Sequence, residues 1–308
     1  MAGIAGGTRL NRPPPATERI SPRFEALDGW DDASALAALW ESQLAAVAAI
    51  GPALPALAAA VAAAAARIGQ TGRLVYAGAG SSARIAAQDA AELAPTFAWP
   101  AARALVLIAG GPAALLTAAE GAEDRGDDGV AAVAAAGLGP ADVLIGIAAS
   151  GATAYTLGCV AAARAAGALS IGIANSPGAP LLAAADHAIL LATAAEPIAG
   201  STRLGAGTAQ KVALNLFSTQ LMVRLGRVYR GRMVEMRPTN AKLRRRAIGI
   251  VAALSGASAD AAEAALAAAD DSIKLAVLMA RGMSRAAAEA ALADSAGRLR
   301  PLLDPPAG

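Results

Sequence analysis

The chain has one cysteine, Cys159, and one histidine, His187, in 308 residues. A single thiol excludes an internal disulfide, and a single imidazole excludes a metal site built from histidines. Both stand among apolar neighbours and are expected in the core rather than in catalysis. Aromatic residues are scarce as well, at 3%, so a core has to be packed from Ala, Leu, Val and Ile. Charge of one sign is also missing: 26 basic residues against 24 acidic ones leave a net charge of +2. The basic residues between Arg224 and Arg246, including Arg244-Arg245-Arg246, lack the series of interleaved aromatics on which bases stack. They read as a solvated helix face, and no nucleic-acid partner is expected. The mean hydropathy is +0.47, yet the richest apolar stretch, 53–66, is mostly alanine and is interrupted by Pro55. It is shorter than the roughly 20 residues that a membrane crossing needs, so a buried helix and no membrane partner are expected. The N-terminus shows no charged-then-apolar signal pattern, and Pro13-Pro14-Pro15 stands where the apolar part would be. A cytoplasmic location is the expectation.

What is abundant is apolar residues, 56% of the chain, enough for one sizeable domain and a smaller appendage. Residues 1–32 are rich in Gly, Pro and polar groups and read as an arm that orders only on a partner surface. Residues 33–68 have a helical pattern broken at Gly51-Pro52. Strands are expected at 74–77, 104–108, 143–148, 170–174 and 188–191, with helical patterns after most of them. That alternation indicates βαβ units and a parallel sheet covered on both faces. A long helix over 205–225 closes the unit, making 33–240 the main domain with its flanking helices. Residues 241–308 read as a small helical domain, with helices at 241–254, 258–268, 272–280 and 284–293.

Two segments share one design. In each of 74–84 and 143–153 an apolar strand runs into a Gly/Ser loop and then a helix: Gly78-Ala79-Gly80-Ser81-Ser82 in the first, Ser150-Gly151-Ala152-Thr153 in the second. Glycine lets backbone N–H groups approach an anion, hydroxyls add donors, and the following helix presents its positive end. A small phosphorylated ligand is expected at the carboxyl ends of the strands. Residues 78–83 also fit a dinucleotide fingerprint, but the next strand ends in Ile108-Ala109-Gly110-Gly111-Pro112 and offers no acidic residue or Arg for a ribose. No nicotinamide cofactor is expected. The bland reading of either loop is a tight turn without a ligand.

On these residues the chain resembles the sugar isomerase (SIS) domain, which implies a flavodoxin-like three-layer sandwich that binds phosphosugars. The resemblance narrows through Asp89-Ala90-Ala91-Glu92 with Pro95-Thr96-Phe97, Glu120-Gly121-Ala122-Glu123-Asp124, Gly200-Ser201-Thr202-Arg203, Gly207-Thr208-Ala209-Gln210-Lys211 and Thr239-Asn240-Ala241-Lys242-Leu243. In order and spacing these are similar to the N-acetylmuramic acid 6-phosphate etherase family, from about Thr17-Glu18-Arg19 into the C-terminal region. The resemblance implies a phosphorylated amino sugar as substrate, whose D-lactyl ether is cleaved without a metal or redox cofactor, and a homodimer. It also implies two catalytic carboxyl groups, Glu92 and Glu123. Apolar neighbours Leu93, Ala94 and Phe97 are expected to desolvate Glu92 and make it the acid, leaving Glu123 as the base, with the exchange of roles open. Without the resemblance, Glu123 with Asp124, Asp127 and Asp128 reads as a solvated acidic turn and Glu92 as a helix-end ion pair. Substrate contacts are expected from Gly80, Ser81, Ser82, Ser150, Gly151, Thr153 and Ser201; Lys211 reads equally as an anion partner or a surface lysine. Ala152 and Gly205 stand where the family commonly has basic residues, and Thr17-Glu18-Arg19-Ile20-Ser21-Pro22 departs from the family's N-terminal pattern. Two other functions fit the fold: a phosphosugar-sensing regulator resembling glucokinase regulatory protein, and a phosphosugar isomerase.

Overall fold

The computed structural model describes residues 16–304. Helix α1 (Asp32–Ala48) begins at Asp31, whose carboxylate accepts the Ser34 N–H at 3.0 Å, a side-chain cap for a donor with no partner in the helix. A turn begun by Gly51-Pro52 leads into α2 (Leu54–Ile68). Then follow β1 (Leu74–Gly78), α3 (Gly80–Phe97), β2 (Ala104–Ile108), α4 (Gly126–Ala136), β3 (Val143–Ala148), α5 (Ala154–Ala165), β4 (Leu169–Ala174), α6 (Pro180–Ala184), β5 (His187–Leu190) and α7 (Gly205–Arg224). The strands form one parallel sheet in the order β2-β1-β3-β4-β5. Each lies within one residue of its predicted limits.

Side chains alternate across this sheet, as strand geometry requires. Tyr76, Ile145 and Ile171 enter a core with Ala64, Leu93 and Phe217 from α2, α3 and α7. Val75 and Leu144 point to the other face, against Val133, Cys159 and Leu181 from α4, α5 and α6. The result is the three-layer sandwich expected from the sequence. Cys159 is fully buried, and burial pushes its thiol up to about 12. His187 departs from expectation: it is only half-buried, on the edge strand β5. The apolar segment Asp32–Ile68 has the length and composition of a membrane span, but α2 puts Leu57, Ala60, Val61, Ala64 and Ile68 into the core. By contrast, α1 leaves Leu36, Trp40, Leu44 and Val47 exposed.

Beyond α7 a short hairpin, β6 (Val228–Tyr229) and β7 (Arg232–Met233), was not anticipated. Helices α8 (Ala241–Ser255), α9 (Ala259–Ala268), α10 (Ile273–Ala280) and α11 (Arg285–Asp294) then build a second core in which Val251, Leu266 and Val277 meet Tyr229, Val234 and Met236. Asn240, Ser258, Ser272 and Ser284 cap these four helices through their side chains. The basic run serves structure more than the sequence suggested. Arg227 donates to the carbonyls of Phe97 and Ala98 at 2.7 and 3.2 Å, placing a cation at the negative end of α3. Arg245 and Arg246 are exposed, as expected. Residues 1–15 of the predicted arm lie outside the described residues. The rest is received by its own chain: Thr17 is fully buried, and its carbonyl accepts the Gly200 N–H at 2.8 Å.

Candidate functional site

Strands β1 and β3 are neighbours, but the helices that follow them leave to opposite faces, α3 beside α7 and α5 beside α4. The sheet therefore has its topological switch point between them, where the diverging chains open a crevice at the carboxyl ends of the strands. A cleft of about 330 Å³ occupies that position. Gly80, Ser81 and Ser82 line it from the β1 loop, and Ser150, Ala152 and Thr153 from the β3 loop.

The donors in this cleft follow from the local chain geometry. Helix α3 starts without a side-chain cap at Ala79, and Ala83 is the first residue whose N–H bonds back into the turn. The Gly80, Ser81 and Ser82 amides therefore stand at the helix's positive end without an intrahelical acceptor. Across from them, Ser150 Oγ accepts the Ala152 N–H at 3.2 Å, which leaves its hydroxyl proton free for a ligand. Thr153 precedes α5 but its side chain does not cap it. Two expected contacts are placed differently. Gly151, at φ +66°, donates its N–H to Ala148 and its carbonyl accepts the Leu181 N–H, so it shapes the turn rather than lining the cleft. Ser201 does not line it either, whereas its neighbours Gly200 and Thr202 do.

Glu123 reaches this cleft because α4 and α5 pack backbone to backbone. A Cβ on Gly158 would sit 2.2 Å from the Gly126 carbonyl oxygen, and one on Gly129 would sit 2.2 Å from that of Tyr155. Glycine at these two crossing points brings the turn Ala122–Asp124 against the start of α5. Glu123 and Asp124 both line the cleft. A side depression of about 270 Å³ shares Ala79, Gly80, Ser81 and Glu123 and adds Glu120 and Arg84. Arg84 Nε donates to the Ala114 and Leu115 carbonyls. Among the described residues no Lys or Arg lines the main cleft, and the donors it offers an anion are hydroxyls, amides and helix ends. Of the two replaced basic positions, Ala152 lines the cleft. Gly205 does not; its N–H donates to Glu196 at 2.8 Å.

Glu92 lies elsewhere. It is more than three turns along α3 from Gly80, about 18 Å at the helical rise, and lines a separate cleft of about 310 Å³ with Gln88, Asp89, Lys211 and Asn215. Its side chain is exposed, because Leu93 and Phe97 turn into the core while Glu92 faces outward; the expected desolvation does not occur within one chain. The desolvated carboxyl is Asp89. It accepts from the Tyr76 and Ser218 hydroxyls at 2.7 and 2.9 Å, and burial raises its pKa against these hydrogen bonds. Glu18, which the sequence placed in a family-like motif without a role, also lines the main cleft. Among the described residues no group of three or more His, Cys, Asp or Glu is arranged to hold a metal ion.

Residues 129–223 match the SIS domain, and residues 56–164 match the glucokinase regulatory protein N-terminal SIS domain. A Deinococcus radiodurans protein named N-acetylmuramic acid 6-phosphate etherase is 50% identical over 291 residues, covering 94% of this chain and 95% of its own. Proteins of the same name from Streptomyces avermitilis and a Nostoc strain are 45% and 41% identical. The first alignment covers 77% of this chain and 76% of the relative, the second 92% and 93%.

Proposed function

The chain belongs to the N-acetylmuramic acid 6-phosphate etherase family, and on that premise we propose that it is a carbon–oxygen lyase. It splits the D-lactyl ether of N-acetylmuramic acid 6-phosphate and yields N-acetylglucosamine 6-phosphate and D-lactate. The observation that carries this reading is the switch-point cleft, where two loops present hydroxyls and uncapped helix amides to an anion beside Glu123. In the ring-opened sugar the C1 aldehyde acidifies the proton on C2. A base removes that proton, its electron pair forms the C2–C3 double bond, and the C3–O bond breaks as the lactate oxygen takes a proton from an acid. Water then adds, oxygen to C3 and hydrogen to C2. Glu123 is the base and Glu92 the acid in this scheme.

Because Glu92 opens on a different cleft of its own chain, the scheme takes the acid from a second copy in a homodimer. Two features support that arrangement. Leu36, Trp40, Leu44 and Val47 make an exposed apolar face on α1, and α1 packs on α7, which with α3 walls the Glu92 cleft. A regulator reading rests on the SIS match alone, whereas the etherase relatives extend along nearly the whole chain.

Proton exchange at C2 of N-acetylglucosamine 6-phosphate in deuterated water, followed by NMR beside lactate release, tests the roles. Glu92→Gln should lose at least ~100-fold in lactate release yet keep the exchange, and Glu123→Gln should lose both by that factor. Exchange that survives only in Glu123→Gln would reverse the roles. Wild-type rates in both variants would remove the two glutamates from the mechanism.

A further inference from the structure

Within one chain the glutamate that shares the phosphate-loop cleft with Glu123 is Glu18, and its position there is built rather than incidental. Thr17 beside it is fully buried, and the Thr17 carbonyl takes the Gly200 N–H at 2.8 Å, which ties this segment to a turn that lines the cleft. The Glu18 carboxylate lies against the turn at Gly200, which has φ +77°, where a Cβ would come within 3.0 Å of Glu18 Oε2. The positive φ is what favours glycine at this turn. A carboxylate thus lines the same cleft as the two Gly/Ser loops.

Beside a bound phosphate such a charge is repulsive, so it weakens the site unless the remainder of the ligand presents donors to it. We propose that Glu18 is a substrate-contacting and specificity-determining residue whose carboxylate accepts hydrogen bonds from hydroxyl or amide N–H groups of the sugar. It selects a sugar phosphate over free phosphate: the loops hold the phosphate, and Glu18 reads the sugar. This rests on the cleft being the phosphosugar site of the proposed function.

Calorimetric titration of wild type, Glu18→Gln, Glu18→Ala and Gly200→Ala with N-acetylglucosamine 6-phosphate and with inorganic phosphate tests it, melting temperatures serving to confirm the fold. Glu18→Ala should weaken the sugar phosphate about ten-fold or more, the loss of a hydrogen bond to a charged group, while inorganic phosphate binds as before or more tightly. Glu18→Gln, which keeps an acceptor, should lose less, and Gly200→Ala should shift both ligands in the direction of Glu18→Ala. Wild-type affinity of Glu18→Ala for the sugar phosphate, or an equal loss for both ligands, would overturn the proposal. Binding is read here without turnover. Discrimination by Glu18 in a chain that releases no lactate would sink the etherase reading alone, and lactate release with unaltered binding in the Glu18 variants would sink this inference alone.

Discussion

Ser82 and Thr153 approach the cleft from the two opposite layers of the sandwich, one within the first turn of α3 and the other just before α5. In the proposed function each hydroxyl is a single donor to the phosphate group. Ser82→Ala and Thr153→Ala should therefore each weaken N-acetylglucosamine 6-phosphate about ten- to hundred-fold, with unchanged circular dichroism; affinity within two-fold of wild type for both would place the phosphate elsewhere. These residues were legible in the sequence because a Gly/Ser loop between a strand and a helix is a local signal. Glu18 was not, since its place depends on how the arm is tied to Gly200, far along the chain. The exposure of Glu92 was misjudged for a related reason. Apolar residues next to it in sequence are turned 100° per residue away on the helix, so Leu93 enters the core and Glu92 does not.

At the level of elements, the cleft depends on β1 and β3 lying in register, Leu74 opposite Val143. Asp142 fastens their starting ends. Its carboxylate accepts the Arg73 backbone N–H, the Arg73 guanidinium and the Gly139 N–H, at 2.6 to 3.1 Å. Burial alone would raise this carboxyl's pKa, but Arg73 and the amide donors outweigh it and hold it below the ordinary value. A depressed folded pKa means that the contribution to stability is complete above the unfolded value, about 4, and is lost as pH falls through the folded one. Asp142→Ala should cost about 2 to 3 kcal/mol at pH 7, and the difference should shrink below about pH 4. Urea titrations at pH 7 and pH 3 measure it, and equal stabilities at pH 7 would contradict the account. The five strands and the capped C-terminal helices were readable because period and cap are written within a few residues. The β6–β7 hairpin was not, since strands of two residues carry no period.

At the scale of the whole molecule, one chain holds the two Gly/Ser loops, Glu18 and Glu123 in one cleft and Glu92 in another, and the proposed mechanism therefore takes Glu92 from a second copy. The exposed apolar face of α1 is the surface that this proposal buries between the copies. The most direct measurement is D-lactate released from N-acetylmuramic acid 6-phosphate by wild type, by Glu92→Gln, by Glu123→Gln and by an equimolar co-refolded mixture of the two variants. The account predicts release by wild type and a loss of at least ~100-fold in each variant alone. It predicts about a quarter of wild-type activity in the mixture, because half of randomly paired dimers combine the variants and one of their two sites then holds both glutamates. A mixture as inactive as its parts would place Glu92 in its own chain's site. No lactate from wild type would contradict the central claim.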